Sequence, residues 1–274
     1  YRDQTNIIYK GTSSVENGEF SFSFIVPKDI DYNLDNGRIS YYAIEETENL
    51  DASGWFEDFI VGGVSSDIVA DDLGPTIQLY MNDKQFVSGG LTNSTPVFLA
   101  FVQDSSGVNT VGNGIGHDIT ITLDNESSKK IILNDYYESE KDSYQKGKVE
   151  YALNELESGV HTIDFKIWDV FNNSSEETIE FFVSETEDFV IQHLLNYPNP
   201  FTTNTSFYFE HNRSNQNLEI QIQVFTVSGK LVKTIHSLEV NTGFRVGPIS
   251  WNGKDDFQDK IGRGTYIYKL SVKD

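Results

Sequence analysis

Residues that commonly carry catalysis are sparse in this sequence. Its 274 residues include five histidines and no cysteine, which leaves no thiolate nucleophile, disulfide or thiolate metal site. His117 and His161 have Asp118 and Asp164 close by in sequence, a combination that a general base could use. No motif places a nucleophile beside them, and the histidines lack metal-ligand spacing. We interpret both as polar surface histidines and predict no catalytic residue, no cofactor and no metal ligand.

Two groups of carboxylates imitate calcium ligands. In Asp31–Gly37 oxygen side chains alternate as in a calcium loop, but the glycine falls one residue late and Tyr42 stands where a bidentate glutamate is needed. The Asp35-Asn36-Gly37 stretch is instead typical of a hairpin turn. Asp71 and Asp72 form a second weak candidate, for which solvated linker charge is the simpler interpretation. We hypothesise that any calcium there stiffens the junction, which melting curves with calcium and with chelator can test.

The glycine-rich stretch Gly112–His117 imitates a phosphate-binding loop. That chemistry requires a helix N-terminus directly after the loop, whereas Ile119–Leu123 alternates as a strand does. We therefore predict a glycine-rich connection between strands.

A different kind of chemistry, the presentation of aromatic rings to a partner, is possible at Tyr197-Pro198-Asn199-Pro200-Phe201. The two prolines fix φ and remove two backbone donors, so the segment is extended and rigid. A rigid segment offers Tyr197 and Phe201 at low entropic cost, as a docking surface requires. We take all five residues as candidate docking residues. The alternative, that Phe201 simply caps a domain core, stays open.

The composition limits the fold and the partners. With 38% hydrophobic and 13% aromatic residues, the chain is expected to fold rather than to be disordered. No apolar run is long enough to span a membrane, and no signal segment opens the chain, so we expect an internal piece of a longer polypeptide. The net charge of −22 argues against nucleic acid as a partner.

The strand and turn pattern predicts an all-β chain of three consecutive β-sandwich, immunoglobulin-like domains. The N-terminal block, residues 1–72, has alternating phenylalanines in Glu19–Val26 that predict one buried face, and we expect it to lack its opening strands. The middle block, 73–187, follows a Gly74-Pro75 breaker and has seven predicted strands. In Gly159–Asp169 the odd-numbered residues form the predicted core face. The C-terminal block, 188–274, contributes five more strands.

The charge is distributed unevenly over these blocks. Residues 1–74 carry 15 acidic and 4 basic side chains (−11), residues 75–187 carry 19 and 7 (−12), and residues 188–274 carry 8 and 9 (+1). The acidic excess is typical of a solvated, secreted surface.

The C-terminal block resembles the FlgD-type immunoglobulin-like domain that type IX secretion cargo carries as a C-terminal sorting domain. The residues that carry this resemblance are Tyr197–Phe201, Val224–Val232, Trp251–Asp255 and Gly262–Leu270. The two preceding blocks resemble the region after the peptidase domain of the gingipain-like (C25) sortases of that secretion system. The residues involved are Phe24–Ile30, Gly37–Ala43, Gly74–Asp83, Phe86–Gly90, Gly112–Asp118 and Trp168–Asn173.

The resemblance implies a non-catalytic scaffold and docking region. In such a sortase an upstream cysteine-peptidase domain of the same chain cleaves the sorting domains of cargo proteins and attaches the cargo to the cell surface. The implied partners are the outer-membrane protein PorV, the type IX attachment complex and the cargo, and the implied location is extracellular, at the outer membrane. A sorting domain usually continues into a final hairpin, so an end at Asp274 implies truncation.

Two other functions remain as alternatives. The chain could be a type IX cargo protein whose sorting domain is removed after export. It could also be a carbohydrate-binding β-sandwich protein, because Trp55, Trp168 and many tyrosines offer aromatic platforms. Of the two tryptophans, Trp168 is the better sugar-platform candidate, since it lies out of phase with the core face of its strand.

Overall fold

In the computed structural model, the described residues are 7–28, 30, 35–45, 50–63, 71–111, 116–184, 189–213 and 216–273. These ranges form β-strands and two short 3-10 turns, with no α-helix among them, and this confirms the all-β prediction. None of their elements is a helix of the length and hydropathy that crossing a bilayer requires.

The described residues form nineteen strands. In chain order they are β1 (Asp35–Asn36), β2 (Ile39–Glu45), β3 (Leu50–Phe56), β4 (Ile60–Val61), β5 (Thr76–Met81), β6 (Gly90–Thr92), β7 (Val97–Gln103), β8 (Thr120–Leu123), β9 (Lys130–Ile132), β10 (Tyr137–Ser139), β11 (Lys146–Ala152), β12 (Gly159–Trp168), β13 (Ser174–Val183), β14 (Ile191–Tyr197), β15 (Thr205–His211), β16 (Gln216–Thr226), β17 (Leu231–Thr242), β18 (Arg245–Trp251) and β19 (Tyr266–Lys273).

By its internal contacts the chain divides into two compact units. The first comprises residues 1–79, 100–150 and 163–178, and the second comprises 80–99, 151–162 and 179–274. The division into three sandwich domains at 72 and 187 stays a prediction.

The N-terminal block contains two small antiparallel pairs. Strands β2 and β3 form a hairpin, and β1 pairs with β4. Asp35 and Asn36 are therefore ladder residues opposite Val61 and Ile60, and the predicted hairpin turn at this place is wrong. The rest of the loop, residues 31–34, lies outside the described residues.

The predicted strand Glu19–Val26 is not a strand in the structure. Its phenylalanines do share one side: the rings of Phe20 and Phe22 are stacked with centroids 6.4 Å apart, and those of Phe22 and Phe24 are 6.3 Å apart. The predicted burial of this face is wrong, since Phe20 is 46% exposed and Phe22 is 41% exposed. Alternation placed the rings correctly, but the segment makes no ladder that would cover them.

Two larger sheets form from the middle block. Their strand orders are β10-β11-β7-β5 and β6-β13-β12-β8-β9. In the first unit the odd-numbered residues Ile163, Phe165 and Ile167 of β12 are fully buried, which confirms the predicted core face. Strand β12 pairs antiparallel with β8 from Ile163 opposite Leu123 to Lys166 opposite Thr120. The seven predicted strands of this block are present, with ends shifted by at most a few residues.

The C-terminal block is a sandwich of two three-stranded antiparallel sheets, ordered β14-β15-β18 and β17-β16-β19. Alternate residues of both sheets point into one core because successive side chains of a strand project to opposite faces. The ring of Phe207 in β15 meets that of Tyr268 in β19 edge-on, with centroids 4.9 Å apart. The fully or nearly buried members of this core are Phe207, Phe209, Leu218, Ile220, Ile222, Val224, Val246, Ile249 and Trp251.

Candidate functional site

The candidate docking segment, Tyr197–Phe201, connects β14 to β15 in the second unit. Tyr197 is the last residue of β14 and pairs with Ser206, so the segment is a turn between adjacent antiparallel strands. The buried hydroxyl of Thr205 donates a 2.8 Å hydrogen bond to the Pro198 carbonyl. The same hydroxyl oxygen accepts a 3.0 Å bond from the Asn196 amide. These bonds fix the segment against β15, in agreement with the rigidity predicted from its prolines.

Phe201 belongs to the core. Its ring is half-buried and lies 5.5 Å from the ring of Trp251, measured between centroids. Gly253 lies directly beside it with φ +67°, and a Cβ there would come within 3.1 Å of the Phe201 ring. The Trp251 indole donates a 2.9 Å hydrogen bond to the Lys254 carbonyl, which holds the ring that Phe201 contacts. The alternative in which Phe201 caps a core therefore describes its position.

Tyr197 points to solvent. Its side chain is 69% exposed, and Pro198, Asn199 and Pro200 are exposed as well. Asn199 donates a 3.3 Å hydrogen bond to the Asn196 side chain, which adds to the order of the loop. Of the two aromatic docking candidates, only Tyr197 is thus presented on a fixed backbone.

A hydrogen-bonded cluster around Glu210, which the sequence did not reveal, lies elsewhere in the second unit. The carboxylate of Glu210, nearly buried, accepts hydrogen bonds from His193 Nδ1 at 2.9 Å and from the Leu91 backbone at 3.3 Å. Its cross-strand partner Arg245 donates a 3.4 Å bond to the Gln85 carbonyl. These contacts fasten residues 85–91 to β15 and β18. A β-bulge in β14, where His193 has φ +49°, turns the imidazole toward Glu210.

Three carboxylates converge in the first unit. One oxygen from each of Asp71, Asp104 and Asp169 lies within 4.8 Å of the others, and Asp104 and Asp169 are buried. Asp71 is a calcium candidate from its sequence, whereas its two partners lie about 30 and 100 residues away. Asp72 is exposed and lies outside the group. Hydrogen bonds from Ser106 and the Leu73 backbone lower the pKa of Asp71. Burial, together with the nearby charge of Asp169, raises the pKa of Asp104.

Because three carboxylates at this distance repel one another, we expect Asp104→Asn to raise the melting temperature in EDTA by about 2–4 °C. The Asp104 oxygen that accepts from the Ser106 and Gly107 backbones is retained as the amide oxygen of asparagine. A melting curve of parent and variant checks this, and a lower melting temperature for the variant in EDTA would contradict it. Repeating both melting curves with excess calcium tests the hypothesis that calcium stiffens the junction. If the parent melts identically in EDTA and in excess calcium, that hypothesis is refuted.

The described residues of the remaining sequence candidates make contacts of other kinds. The His117 ring lies 4.2 Å from the Trp168 ring, and His161 Nε2 is 2.8 Å from the Glu157 carbonyl. The Trp168 indole is half-buried, and Lys166 Nζ lies 5.0 Å from its ring centroid in addition to the His117 ring. Trp168 is therefore less accessible to a sugar ring than its place in the strand pattern predicted. Residues 112–115 of the glycine-rich loop lie outside the described residues, and the element after the loop is strand β8, as predicted.

Comparison with known proteins finds a likeness among the solved structures. No family model and no curated protein match the sequence. Among solved structures, the chain is similar to the crystal structure of dimeric latent PorU from Porphyromonas gingivalis, with 30% sequence identity and a TM-score of 0.42. The match covers 95% of this chain and 24% of the PorU chain, so this chain spans about a quarter of that protein's length.

Proposed function

We propose that this chain is the non-catalytic scaffold and docking region of a type IX secretion sortase of the PorU kind. In this proposal an upstream gingipain-like cysteine-peptidase domain cleaves the sorting domains of cargo and attaches the cargo to the cell surface. The C-terminal block holds the sortase at the outer membrane through PorV and the attachment complex. The absence of cysteine from all 274 residues supports placing the peptidase chemistry in another part of the polypeptide.

The sequence motifs of the C-terminal block support a domain of the sorting type. Phe201 and Trp251, from two different motifs, pack ring against ring in the core. In a third motif the Tyr266 hydroxyl donates a 2.8 Å hydrogen bond to the Gly262 carbonyl, and Tyr266 packs against the same core. The motifs are thus accounted for by the fold of this domain, apart from Tyr197, which the fold leaves at the surface.

The observation that carries the docking role is this exposed tyrosine on a fixed backbone. Tyrosine is among the residues that most often dominate binding energy at protein interfaces, and a ring held in place loses little entropy when it is buried.

The test is binding of the intact chain to purified PorV, with Tyr197→Ala as the informative variant. We expect the alanine variant to bind about 10- to 30-fold more weakly, in the range of an interface hot spot. Tyr42→Ala is the matched control, because Tyr42 is equally exposed, at 68%, but lies in the N-terminal block. Binding of Tyr197→Ala with the parent's affinity would refute the docking role.

Phe201→Ala serves a different purpose in the same experiment. Its ring packs on Trp251, so its removal is expected to destabilise the second unit by about 2–3 kcal/mol rather than to act at the interface. A double alanine variant at 197 and 201 would mix the two effects. The single variants, with circular dichroism of each, keep docking and folding separate.

A further inference from the structure

The hairpin of β2 and β3 has one face that is open to solvent over its full length. In its register Ser40 pairs with Trp55, Tyr42 with Ser53 and Ile44 with Asp51. Directly opposed side chains project to the same side of a sheet, so these six residues share one face. All six are exposed, whereas Ile39 and Tyr41 of the opposite face are partly buried. We call this open face the hairpin platform.

Two aromatic rings dominate the hairpin platform. Trp55 is 67% exposed and Tyr42 is 68% exposed. They are diagonal neighbours across the two strands, a relation that places residues about 7–8 Å apart. The side chains directly opposite them, Ser40 and Ser53, are small and hydroxylated. A flat ligand ring can therefore reach either aromatic side chain without meeting a bulky neighbour between them.

Both rings are held in place by polar contacts. The guanidinium carbon of Arg38 lies 5.7 Å from the centroid of the Trp55 ring, and its Nη1 is 3.4 Å from Glu57 Oε1. The Tyr42 hydroxyl donates a 3.3 Å hydrogen bond to Asp51 Oδ2. Exposed rings that are already oriented lose little entropy on binding, and this favours their use in recognition.

The polar groups around the rings indicate the chemistry of the ligand. Carboxylates at Asp51 and Glu57, the Arg38 guanidinium and two serine hydroxyls together accept and donate hydrogen bonds next to an apolar ring surface. A sugar ring has this combination, with hydroxyl groups at its edge and C–H groups on its faces. Asp, Glu and Ser, the residue types that surround these rings, are instead depleted at protein–protein interfaces, although Trp, Tyr and Arg are enriched there. The net charge of −11 over residues 1–74 disfavours anionic polymers, both nucleic acids and acidic polysaccharides.

We propose that the hairpin platform binds a neutral oligosaccharide. One or two sugar rings stack on Trp55 and Tyr42, and their hydroxyl groups bond to Asp51, Glu57 and Arg38. The proposal does not depend on docking at Tyr197, which lies in the other unit.

The test is titration of the intact chain with neutral hexasaccharides of glucose, mannose, galactose and N-acetylglucosamine, and with hexagalacturonate as the anionic counterpart. We expect calorimetry to show saturable binding of at least one neutral hexasaccharide with a Kd below about 1 mM. Bound sugar should also protect Trp55 from acrylamide quenching, because Trp251 is buried and Trp168 half-buried. If the platform is instead a protein interface, added sugar should leave the quenching of Trp55 unchanged.

Matched variants locate the site. Trp55→Ala and Tyr42→Ala should each weaken sugar binding about tenfold, Trp55→Phe should weaken it less because a stacking ring remains, and Tyr197→Ala should bind as the parent does. Both platform rings are exposed, so their removal leaves the fold intact, as circular dichroism can verify. The proposal would be overturned if no neutral hexasaccharide binds, if Trp55→Ala binds sugar as tightly as the parent, or if hexagalacturonate binds more tightly than the neutral sugars. It would also be overturned if the platform binds only a protein.

Discussion

Replacing Asp169 by alanine should lower the free energy of unfolding of the first unit by about 2–4 kcal/mol. The Asp169 carboxylate is fully buried and accepts hydrogen bonds from the backbones of Phe171 at 2.9 Å and Asn173 at 2.7 Å. It also accepts a 2.7 Å bond from the Asn173 side chain, which in turn donates to the Asp71 carbonyl. Alanine would leave the two backbone donors of Phe171 and Asn173 without this acceptor in the turn after β12. An unsatisfied donor away from water costs about 1–3 kcal/mol.

Relief of the repulsion from Asp71 and Asp104 acts in the opposite direction, and the expected range allows for it. Asp169→Asn is the control, because its amide oxygen can still accept from both backbones, and it should cost about 1 kcal/mol or less. Urea denaturation followed by tryptophan fluorescence measures both variants. Equal stability of the alanine and asparagine variants would contradict the role given to the carboxylate oxygens.

The second large effect expected is on the acid stability of the second unit, through His211. This imidazole is fully buried between Phe189 and Phe209, with ring centroids 5.6 and 6.1 Å from its own. Burial lowers the pKa of His211 to about 4, although hydrogen bonds with the backbones of Arg213 and Gly243 act in the opposite direction. The imidazole is therefore neutral in the folded protein at pH 5 to 7.

The direction of the pH effect follows from this lowered pKa. Below the ordinary histidine pKa of about 6.5, His211 of the unfolded chain binds a proton. In the folded chain His211 does not bind this proton until about pH 4. The free energy of unfolding therefore falls as the pH falls from about 6.5 to about 4. The loss of unfolding free energy over this pH range is roughly 3 kcal/mol.

His211→Phe removes this titration. The difference in unfolding free energy between pH 7 and pH 4.5 should therefore be smaller for the variant than for the parent, whatever the variant's stability at pH 7. Urea titrations at the two pH values measure it, and His161→Gln is the control for a histidine outside this core. An unchanged pH dependence in His211→Phe would show that other groups set the acid stability of the unit.

Local alternation was enough to predict most strands and the core face of β12. Ile163, Phe165 and Ile167 are buried as expected because side-chain period two is a property of the strand itself. The same rule put Phe20 and Phe22 on one side but could not tell that they would be exposed, since burial depends on residues distant in sequence. Strand β6 was missed because three residues beginning with glycine carry no pattern, and its parallel partner β13 lies some 90 residues later.

In the candidate sites, too, local features could be predicted from the sequence whereas contacts between distant residues could not. The rigidity of Tyr197–Phe201 could be predicted from its prolines, but the inward position of Phe201 depends on Trp251, 50 residues later. The cluster at Glu210 joins residues up to 160 positions apart, and the group of Asp71, Asp104 and Asp169 joins residues about 30 to 100 positions apart. Local sequence patterns do not predict such long-range contacts, because these contacts depend on the order of the strands in the sheets.

The contacts of Glu210 and Arg245 also bear on how the chain reaches its native state. Glu210 bonds to Leu91 across 119 residues and Arg245 to Gln85 across 160 residues. Contacts that close such long loops bring the second unit a high contact order, and chains of high contact order fold slowly. During synthesis residues 85–91 cannot form these bonds until residues 210 and 245 have been made, so the Glu210 carboxylate completes its bonds late in folding.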